Sequence, residues 1–186
     1  MSWSRRRVLR AGGALACVSA TALLARPARG QADTSATANR RIALLNLHTG
    51  ERLDIEYCRD GAYIPQALVA IENCLRDFRT GERHPMDPHL MDTLVDVAHA
   101  LRVAPTFSVI SGYRSPQTNA MLHEHSTGVA SRSLHMDGRA IDVRISGVDC
   151  ADLAAQALDL KRGGVGYYRA SDFVHLDTGA VRSWKG

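Results

Sequence analysis

The most informative stretch of the sequence is residues 133–143, which read Ser-Leu-His-Met-Asp-Gly-Arg-Ala-Ile-Asp-Val. It places two side chains that can bind a metal ion, His135 and Asp142, on either side of the turn dipeptide Asp137-Gly138. A two-residue hairpin turn at this dipeptide predicts a strand pair over residues 134–145, with Asp142 diagonally across from His135. Such positions are about 7 to 8 Å apart at Cα, a span that an imidazole and a carboxylate can close around one ion. We therefore expect His135 and Asp142 to share a metal, and we assign Asp137 to the turn.

A third metal ligand is predicted in residues 172–177, which read Asp-Phe-Val-His-Leu-Asp. The alternation is typical of a strand, with His175 on the same face as Phe173 and Asp177. Two imidazoles and one carboxylate, with a fourth position left to water, match a catalytic zinc site, whereas structural zinc sites more often have four protein ligands. Water on such an ion is acidic enough to supply hydroxide near neutral pH. The predicted zinc ligands are therefore His135, Asp142 and His175.

Hydrolysis at such a site also needs a base for the water and a cation for the developing negative charge. Asp172, three residues before His175, is the predicted base. Arg114 lies in the Gly-Tyr-Arg-Ser-Pro turn of residues 112–116, and can bind a substrate carboxylate or stabilise an oxyanion. Ser133 is expected to hydrogen-bond the substrate or a ligand. Taken singly, each of these residues also has an ordinary explanation, such as a turn or a surface ion pair.

The periodicity of the rest of the chain predicts one α+β domain. Its expected architecture is an antiparallel β-sheet with flanking helices, and the zinc site lies in a groove across the sheet. The paired Gly163 and Gly164 indicate a close backbone approach just before a strand. The pattern predicts a hairpin of residues 42–47 and 52–57, helices over residues 65–79, 89–101, 117–125 and 151–160, and further strands over residues 107–111, 165–168 and 173–177.

Residues 1–32 are predicted to be a twin-arginine signal peptide. Residues 4–10 read Ser-Arg-Arg-Arg-Val-Leu-Arg, an apolar run of small residues follows at 11–25, and Gly30-Gln31-Ala32 fits a cleavage site. The apolar run is shorter than the roughly 20 residues that a membrane-spanning helix needs. We expect a mature chain that begins near Asp33, with a flexible lead-in at residues 33–39 and one folded domain with the predicted zinc site at residues 40–186.

The basic charge of the chain belongs to this leader. Six of the 23 Lys and Arg residues lie in residues 1–32, which contain no Asp or Glu. The remainder holds 17 basic and 19 acidic side chains, a formal charge of −2. The net charge of +4 is therefore no indication of nucleic-acid binding.

Three cysteines remain after the leader, an odd number for an oxidising compartment. A disulfide between Cys58 and Cys74 could link the first strand pair to the following helix. The other interpretation, which we favour, is three buried thiols at Cys58, Cys74 and Cys150. The sequence has no CxxC pair, which argues against a thiolate zinc site or a redox motif.

These residues together resemble the zinc D-alanyl-D-alanine metallopeptidases and, within them, the twin-arginine-exported murein endopeptidases. The likeness also includes residues 79–81, 84–88, 163–168 and 182–184, so it spans about residues 40–186. The family motif S-x-H-x-x-G-x-A-x-D is matched at residues 133–142, the acid-x-x-His motif at residues 172–175, and the arginine motif at residues 111–115.

The resemblance implies specific roles for the matched residues. His135, Asp142 and His175 would be the zinc ligands. Asp172 would be the general base, and Arg114 the arginine that binds substrate and oxyanion. Wider relatives often carry Glu at the base position, so Asp177 and Glu124 are retained as alternative bases.

The function expected from the residues and the resemblance is that of a zinc-dependent murein endopeptidase. It would hydrolyse amide bonds in peptidoglycan peptide crosslinks in the periplasm, as a monomer without a stable membrane anchor after processing. Alternatives are a D,D- or L,D-carboxypeptidase on stem peptides and a non-catalytic zinc-containing peptidoglycan-binding module. A non-haem iron oxygenase also uses two His and a carboxylate, but usually with a His-x-Asp step that is absent here.

Overall fold

The computed structural model describes residues 39–125 and 130–186, all of which belong to the compact unit Asp33–Gly186. The predicted signal peptide at residues 1–32 lies outside the described residues, as does the lead-in except for Asn39. In the described ranges, no helix is long and apolar enough to cross a membrane.

The described residues form eight strands and four α-helices, with one short 3-10 helix between the third helix and the fifth strand. In chain order they are β1 (Arg40–Asn46), β2 (Arg52–Arg59), β3 (Ala62–Tyr63), α1 (Pro65–Cys74), α2 (Pro88–Ala100), β4 (Thr106–Ser111), α3 (Pro116–His125), the 3-10 helix (Leu134–Asp137), β5 (Ala140–Arg144), α4 (Cys150–Leu160), β6 (Gly164–Tyr168), β7 (Phe173–Asp177) and β8 (Arg182–Lys185).

All eight strands join in one sheet with the order β3-β2-β1-β4-β5-β7-β6-β8. The α+β class is confirmed, but the sheet is not purely antiparallel, because β1 pairs with β4 and β6 pairs with β8 in parallel. Two strands that pair in parallel must be joined by a long crossover segment of the chain. The segment with α1 and α2 connects β1–β2 to β4, and β7 separates β6 from β8 along the chain.

The apolar core lies on one face of the central strands. Ile141 and Val143 of β5 and Val174 and Leu176 of β7 are almost completely buried in it. Buried residues of α2 and α4, such as Leu90 and Leu153, belong to the same core cluster. Because side chains alternate along a strand, the residues between them on β5 and β7 face the other side of the sheet.

The strand pair predicted over residues 134–145 is wrong in its first half. Residues Leu134–Asp137 form a 3-10 helix, and only Ala140–Arg144 is a strand. The Ser133 side chain accepts a hydrogen bond from the backbone N–H of His135 at the start of this turn. Gly138 ends it in the left-handed conformation, with φ of 64°. The Asp137-Gly138 dipeptide therefore does mark a turn, but the turn closes a helix and not a hairpin.

The first helix ends at Cys74, earlier than the predicted residue 79. The Asp77 carboxylate accepts hydrogen bonds from the backbone N–H groups of Arg79 and Ser115. A buried Asp that satisfies backbone donors outside the helix favours a turn over another helical turn. The other predicted helices and strands are confirmed to within a residue or two, whereas β3 and β8 were not predicted.

The cysteines and the glycine pair agree with the interpretations favoured from sequence. Cys58, Cys74 and Cys150 are buried thiols, and the described part of the chain forms no disulfide. A Cβ atom on Gly163 would collide with the backbone carbonyl oxygen of Asp177. The predicted close backbone approach is therefore confirmed.

Candidate active site

The pairing register of β5 and β7 brings Asp142 and His175 side by side. They are direct partners across the antiparallel pair, on the face opposite the apolar core. Directly opposed residues have Cβ atoms about 5 Å apart, so short side chains can meet. The Asp142 Oδ1 atom lies 2.8 Å from His175 Nδ1.

His135 lies in the 3-10 helix, outside the sheet, and its side chain reaches Asp142 and His175. Its Nε2 atom lies 3.2 Å from Nδ1 of His175 and 3.3 Å from Oδ1 of Asp142. One candidate ligand atom from each of the three residues lies within 4.8 Å of the others, and all three residues are buried. The structure therefore brings the three predicted ligands together, although by a different route from the predicted hairpin.

The outer nitrogen of each histidine has its own acceptor. His135 Nδ1 lies 2.7 Å from the carbonyl oxygen of Gly112, and His175 Nε2 lies 3.1 Å from Oδ2 of Asp177. If these nitrogens carry the protons, His135 Nε2 and His175 Nδ1 present lone pairs to the centre of the cluster. Metal-binding histidines are held in this way by an acceptor on the nitrogen away from the metal. The donor set therefore fits a divalent ion such as zinc.

Burial and close charges shift the pKa values in this cluster. Burial lowers the pKa of His135, which favours the neutral imidazole. Burial raises the pKa of Asp142, but its interactions with His135 and His175 outweigh burial and hold that pKa well below its usual range. Burial lowers the pKa of His175, but its hydrogen bonds and charge interactions with Asp142 and Asp177 outweigh burial and raise that pKa to about 9. The cluster thus combines an ionised Asp142 and a neutral His135 with a His175 that has to lose a proton when a metal ion binds.

Arg114 lies at the edge of the cluster, in the loop between β4 and α3. Its Nη2 atom is 3.6 Å from Oδ2 of Asp142 and 3.4 Å from Oγ of Ser111. The Arg114 backbone N–H donates to the carbonyl oxygen of His135 at 3.2 Å. The buried Nε atom has no hydrogen-bond partner among the described residues. An arginine with an unused donor beside the cluster can bind an anionic or developing negative group.

The cluster opens into a cavity of about 440 Å³. The described carboxylates that line it are Asp142 and Asp177, whereas three arginines, Arg114, Arg132 and Arg182, line its walls. Tyr168, Phe173 and Trp184 form another part of the wall. The rings of Tyr168 and Phe173 stack with their centroids 4.5 Å apart. A cavity of this size, with aromatic walls and a few polar groups beside the cluster, can hold a small-molecule or peptide ligand.

The chain is similar to known proteins over most of its length. A family model described as peptidoglycan L,D-endopeptidase MepK matches residues 34–184. The chain belongs to this family. A probable peptidoglycan L,D-endopeptidase MepK of Haemophilus influenzae is 43% identical over 148 residues, which cover 79% of this chain and 80% of that protein. The peptidoglycan L,D-endopeptidase MepK of Escherichia coli K12 is 38% identical over 181 residues, 97% of each chain. No solved structure shows a significant match.

The other site residues predicted from the sequence are placed differently. Ser133 lines the cavity, and its hydroxyl accepts the N–H of His135 at 3.4 Å. Asp172 does not line the cavity. Its side chain is 67% exposed and pairs with Arg144 at 3.0 Å. It adopts a positive φ of 51° just before β7, and it interacts with Cys150 of α4, which packs on the core face. The structure therefore does not bring the predicted base to the cluster of His135, Asp142 and His175.

The sequence did not predict the residues that contact the histidines of this cluster on the side away from the proposed metal. The sequence predicts Asp177 on the face of His175 and as an alternative base, but it does not predict the contacts that Asp177, Arg182 and Trp184 make around His175. Asp177 and His175 are two residues apart on one strand and therefore share a face. That spacing was the available signal for their contact. The acceptor on His135 could not be found, because it is a backbone carbonyl.

Proposed function

We propose that this protein is a zinc-dependent murein endopeptidase that cleaves amide bonds in peptidoglycan peptide crosslinks. The observation that supports the proposal most is the buried cluster of His135, Asp142 and His175 at the base of an open cavity. Membership of the family is the second support. The relatives from H. influenzae and E. coli carry the name peptidoglycan L,D-endopeptidase, which favours crosslinks between diaminopimelate residues as the substrate.

In this proposal His135 Nε2, His175 Nδ1 and Asp142 hold the zinc ion. Bound zinc would supply a Lewis acid for a peptide carbonyl and would lower the pKa of a water molecule. The two imidazoles and one carboxylate leave a coordination position for substrate or water. Elemental analysis of the purified protein distinguishes zinc from iron, the metal of the alternative two-His, one-carboxylate oxygenase site.

Arg114 is the proposed substrate and oxyanion residue. Its guanidinium lies beside Asp142, and its Nε donor is not used by any described residue. A planar guanidinium can donate two parallel hydrogen bonds to a carboxylate. Ser133 lies in the cavity wall, where its hydroxyl caps the turn of His135, and it is the proposed hydrogen-bond partner of the substrate.

The three carboxylates considered as the general base occupy different positions relative to the cavity. Asp172 points to Arg144 and away from the cavity, so it reaches the substrate only if the turn before β7 changes conformation. Asp177 lines the cavity, but its oxygens already accept several hydrogen bonds. Glu124 is exposed on α3 and is not among the residues that line the cavity. The proposal therefore does not require Asp172 as the base in the conformation described.

Export to the periplasm by the twin-arginine pathway completes the proposal. The support is the arginine pattern and apolar run of residues 1–32 and a substrate that lies outside the cytoplasm. In this view the leader is removed and residues 40–186 act as the peptidase domain.

The experiment that tests the proposed reaction is digestion of purified, defined muropeptide dimers. One dimer carries an L,D-crosslink between two diaminopimelate residues, another carries a D-alanyl crosslink, and a third sample contains uncrosslinked stem peptides. Mass spectrometry should show two monomers from the first dimer at the highest rate. Release of a terminal residue from the uncrosslinked stems, without dimer cleavage, would instead show a carboxypeptidase. Binding of all samples without any product would show a non-catalytic module.

A further inference from the structure

The C-terminal strand β8 forms the edge of the sheet next to the candidate metal centre. It pairs in parallel with β6, so that Arg182 lies opposite Gly164 and Trp184 opposite Gly166. A Cβ atom on Gly166 would lie 2.5 Å from the Trp184 ring, and one on Gly164 would lie 2.5 Å from Oδ2 of Asp177. The glycines of β6 therefore leave room for side chains of β8 and β7 to meet above the sheet.

Asp177 is the point where these side chains meet. Its side chain is fully buried, and Oδ1 accepts hydrogen bonds from the backbone N–H groups of Gly164 at 3.0 Å and Gly179 at 2.8 Å. Arg182 donates to both carboxylate oxygens, from Nη1 at 3.0 Å and from Nη2 at 2.6 Å. A bidentate arginine and two backbone donors fix both the position and the charge of the carboxylate.

The second oxygen of Asp177 also determines how His175 is oriented. Oδ2 lies 3.1 Å from His175 Nε2, on the side of the ring away from Asp142. An ionised acceptor at this position favours the proton on Nε2 and leaves the Nδ1 lone pair for the cluster. The Trp184 ring, 5.1 Å from the imidazole between ring centroids, covers the same side chain. Arg182 of β8 thus fixes the Asp177 carboxylate, and this carboxylate in turn orients the His175 ring.

We infer that Asp177 and Arg182 are positioning residues of the metal centre, so that the C-terminal strand contributes to metal affinity without supplying a ligand. The inference rests on the proposed metal site of His135, Asp142 and His175. It assigns Arg182 a role through Asp177, because Arg182 does not touch any of the three ligand atoms.

The test is zinc affinity, measured by competition with a chromophoric chelator, in Arg182→Gln and Asp177→Asn variants of the purified protein. Loss of a partner of this kind weakens metal binding by about 10- to 100-fold, and we expect that range for Asp177→Asn and a smaller loss for Arg182→Gln. Arg182→Lys should recover part of the affinity, because an ammonium can still pair with Oδ2. Arg41→Gln is the matched control, since Arg41 pairs with Asp54 at 2.7 Å on the distant β1–β2 hairpin.

Two further measurements separate positioning from a loss of folding. Each variant is assayed well below the melting temperature of its own metal-free form, so that unfolding does not contribute. The absorption spectrum of the Co²⁺-substituted protein should change in Asp177→Asn, because the orientation of His175 changes, and should stay the same in Arg41→Gln.

The outcomes distinguish this inference from the proposed metal site. If Asp177→Asn and Arg182→Gln keep the wild-type affinity and Co²⁺ spectrum while His175→Ala loses zinc, the positioning role is wrong and the metal site stands. If His175→Ala also binds zinc as tightly as the wild type, both the positioning role and the metal site are wrong.

Discussion

The two faces of strands β5 and β7 share a backbone but differ in chemistry. On the core face, Ile141 and Leu176 are almost completely buried among apolar side chains. On the cavity face, Asp142, His175 and Asp177 are also buried, yet they are ionisable. Side chains on both faces are buried, so the difference lies in what burial achieves on each face.

Burial of apolar side chains stabilises the fold, whereas burial of charged groups costs free energy unless they are paired. The cavity face meets that cost only in part, because Arg114 Nε has no partner among the described residues. A protein that keeps such a cluster is retaining it for its chemistry. The comparison teaches that substitutions on the core face should reduce stability, and that those on the cavity face should reduce metal binding and catalysis.

The largest effect is expected on the cavity face, from Asp142→Asn. This change keeps the shape of the side chain but removes the charged ligand. Because a metal ion supplies several kcal/mol to catalysis and 1.36 kcal/mol is tenfold in rate, crosslink cleavage should fall by about 1,000-fold or more. The rate at which each variant cleaves a defined muropeptide dimer measures this loss. Asp54→Asn, at an exposed ion pair, is the control and should be near wild type; equal rates in the two variants would refute the difference between the faces.

The next largest effect, a loss of folding stability, is expected on the core face from Leu176→Ala. Leu176 is 1% exposed, so its truncation should destabilise the fold by about 2 to 5 kcal/mol through lost burial and an internal cavity. Denaturant unfolding of the metal-free protein measures this loss. The folded fraction at low temperature should still cleave crosslinks within about tenfold of the wild-type rate. A variant of normal stability without activity would contradict the assignment of this face to the core.

Asp77 sharpens the comparison, because it is a buried charge with a structural role. Burial raises its pKa, but hydrogen bonds from Thr118, Ser115 and the backbone of Arg79 outweigh burial and lower the pKa to about 2. This pKa is below the unfolded value, so the stability gained is complete above about pH 4 and is lost as the pH falls towards 2. Asp77→Asn should lower the free energy of unfolding at pH 7 by up to about 2 kcal/mol.

The pH dependence checks this account of Asp77. Unfolding of the wild type and of Asp77→Asn should differ most at neutral pH, and the difference should shrink towards pH 2. A difference that stays constant over this pH range would show that the charge of Asp77 is not what stabilises the loop.

The smallest effect is expected for Asp172→Asn. The exposed Asp172–Arg144 pair contributes at most about 1 kcal/mol to stability, and the carboxylate does not line the cavity. Crosslink cleavage should therefore fall by less than about threefold. Arg144→Gln, which removes the partner, should give a similar small change. A 100-fold loss in Asp172→Asn alone would mean that the turn before β7 rearranges and that Asp172 acts as the base, as the sequence motif suggested.

The sequence predicts that the three candidate ligands lie close together, but not that His135 reaches the site from a 3-10 helix. The Asp137-Gly138 dipeptide signals a reversal of the chain in either a hairpin or a 3-10 turn, and the choice depends on hydrogen bonds outside the segment. The Arg114 loop provides them, since Gly112 accepts from the His135 ring and the His135 carbonyl accepts the Arg114 N–H. A local pattern cannot report contacts between residues more than 20 positions apart.

The sheet edge was missed for a related reason. β8 has four residues with little burial, so alternation gives almost no signal there. Its place beside β6 depends on the room that Gly164 and Gly166 leave for Arg182 and Trp184. By contrast, α2 and α4 were predicted to within a residue, because each has a strong apolar periodicity.

Removal and restoration of the metal tests the central claim most directly. The purified protein is treated with a chelator, dialysed, and assayed on an L,D-crosslinked muropeptide dimer before and after one equivalent of zinc is added, in parallel with Asp142→Asn. We predict that the chelated wild type loses cleavage and that zinc restores it, whereas Asp142→Asn stays inactive at the same zinc concentration. Full cleavage by the metal-free protein, or equal restoration of Asp142→Asn, would contradict the account.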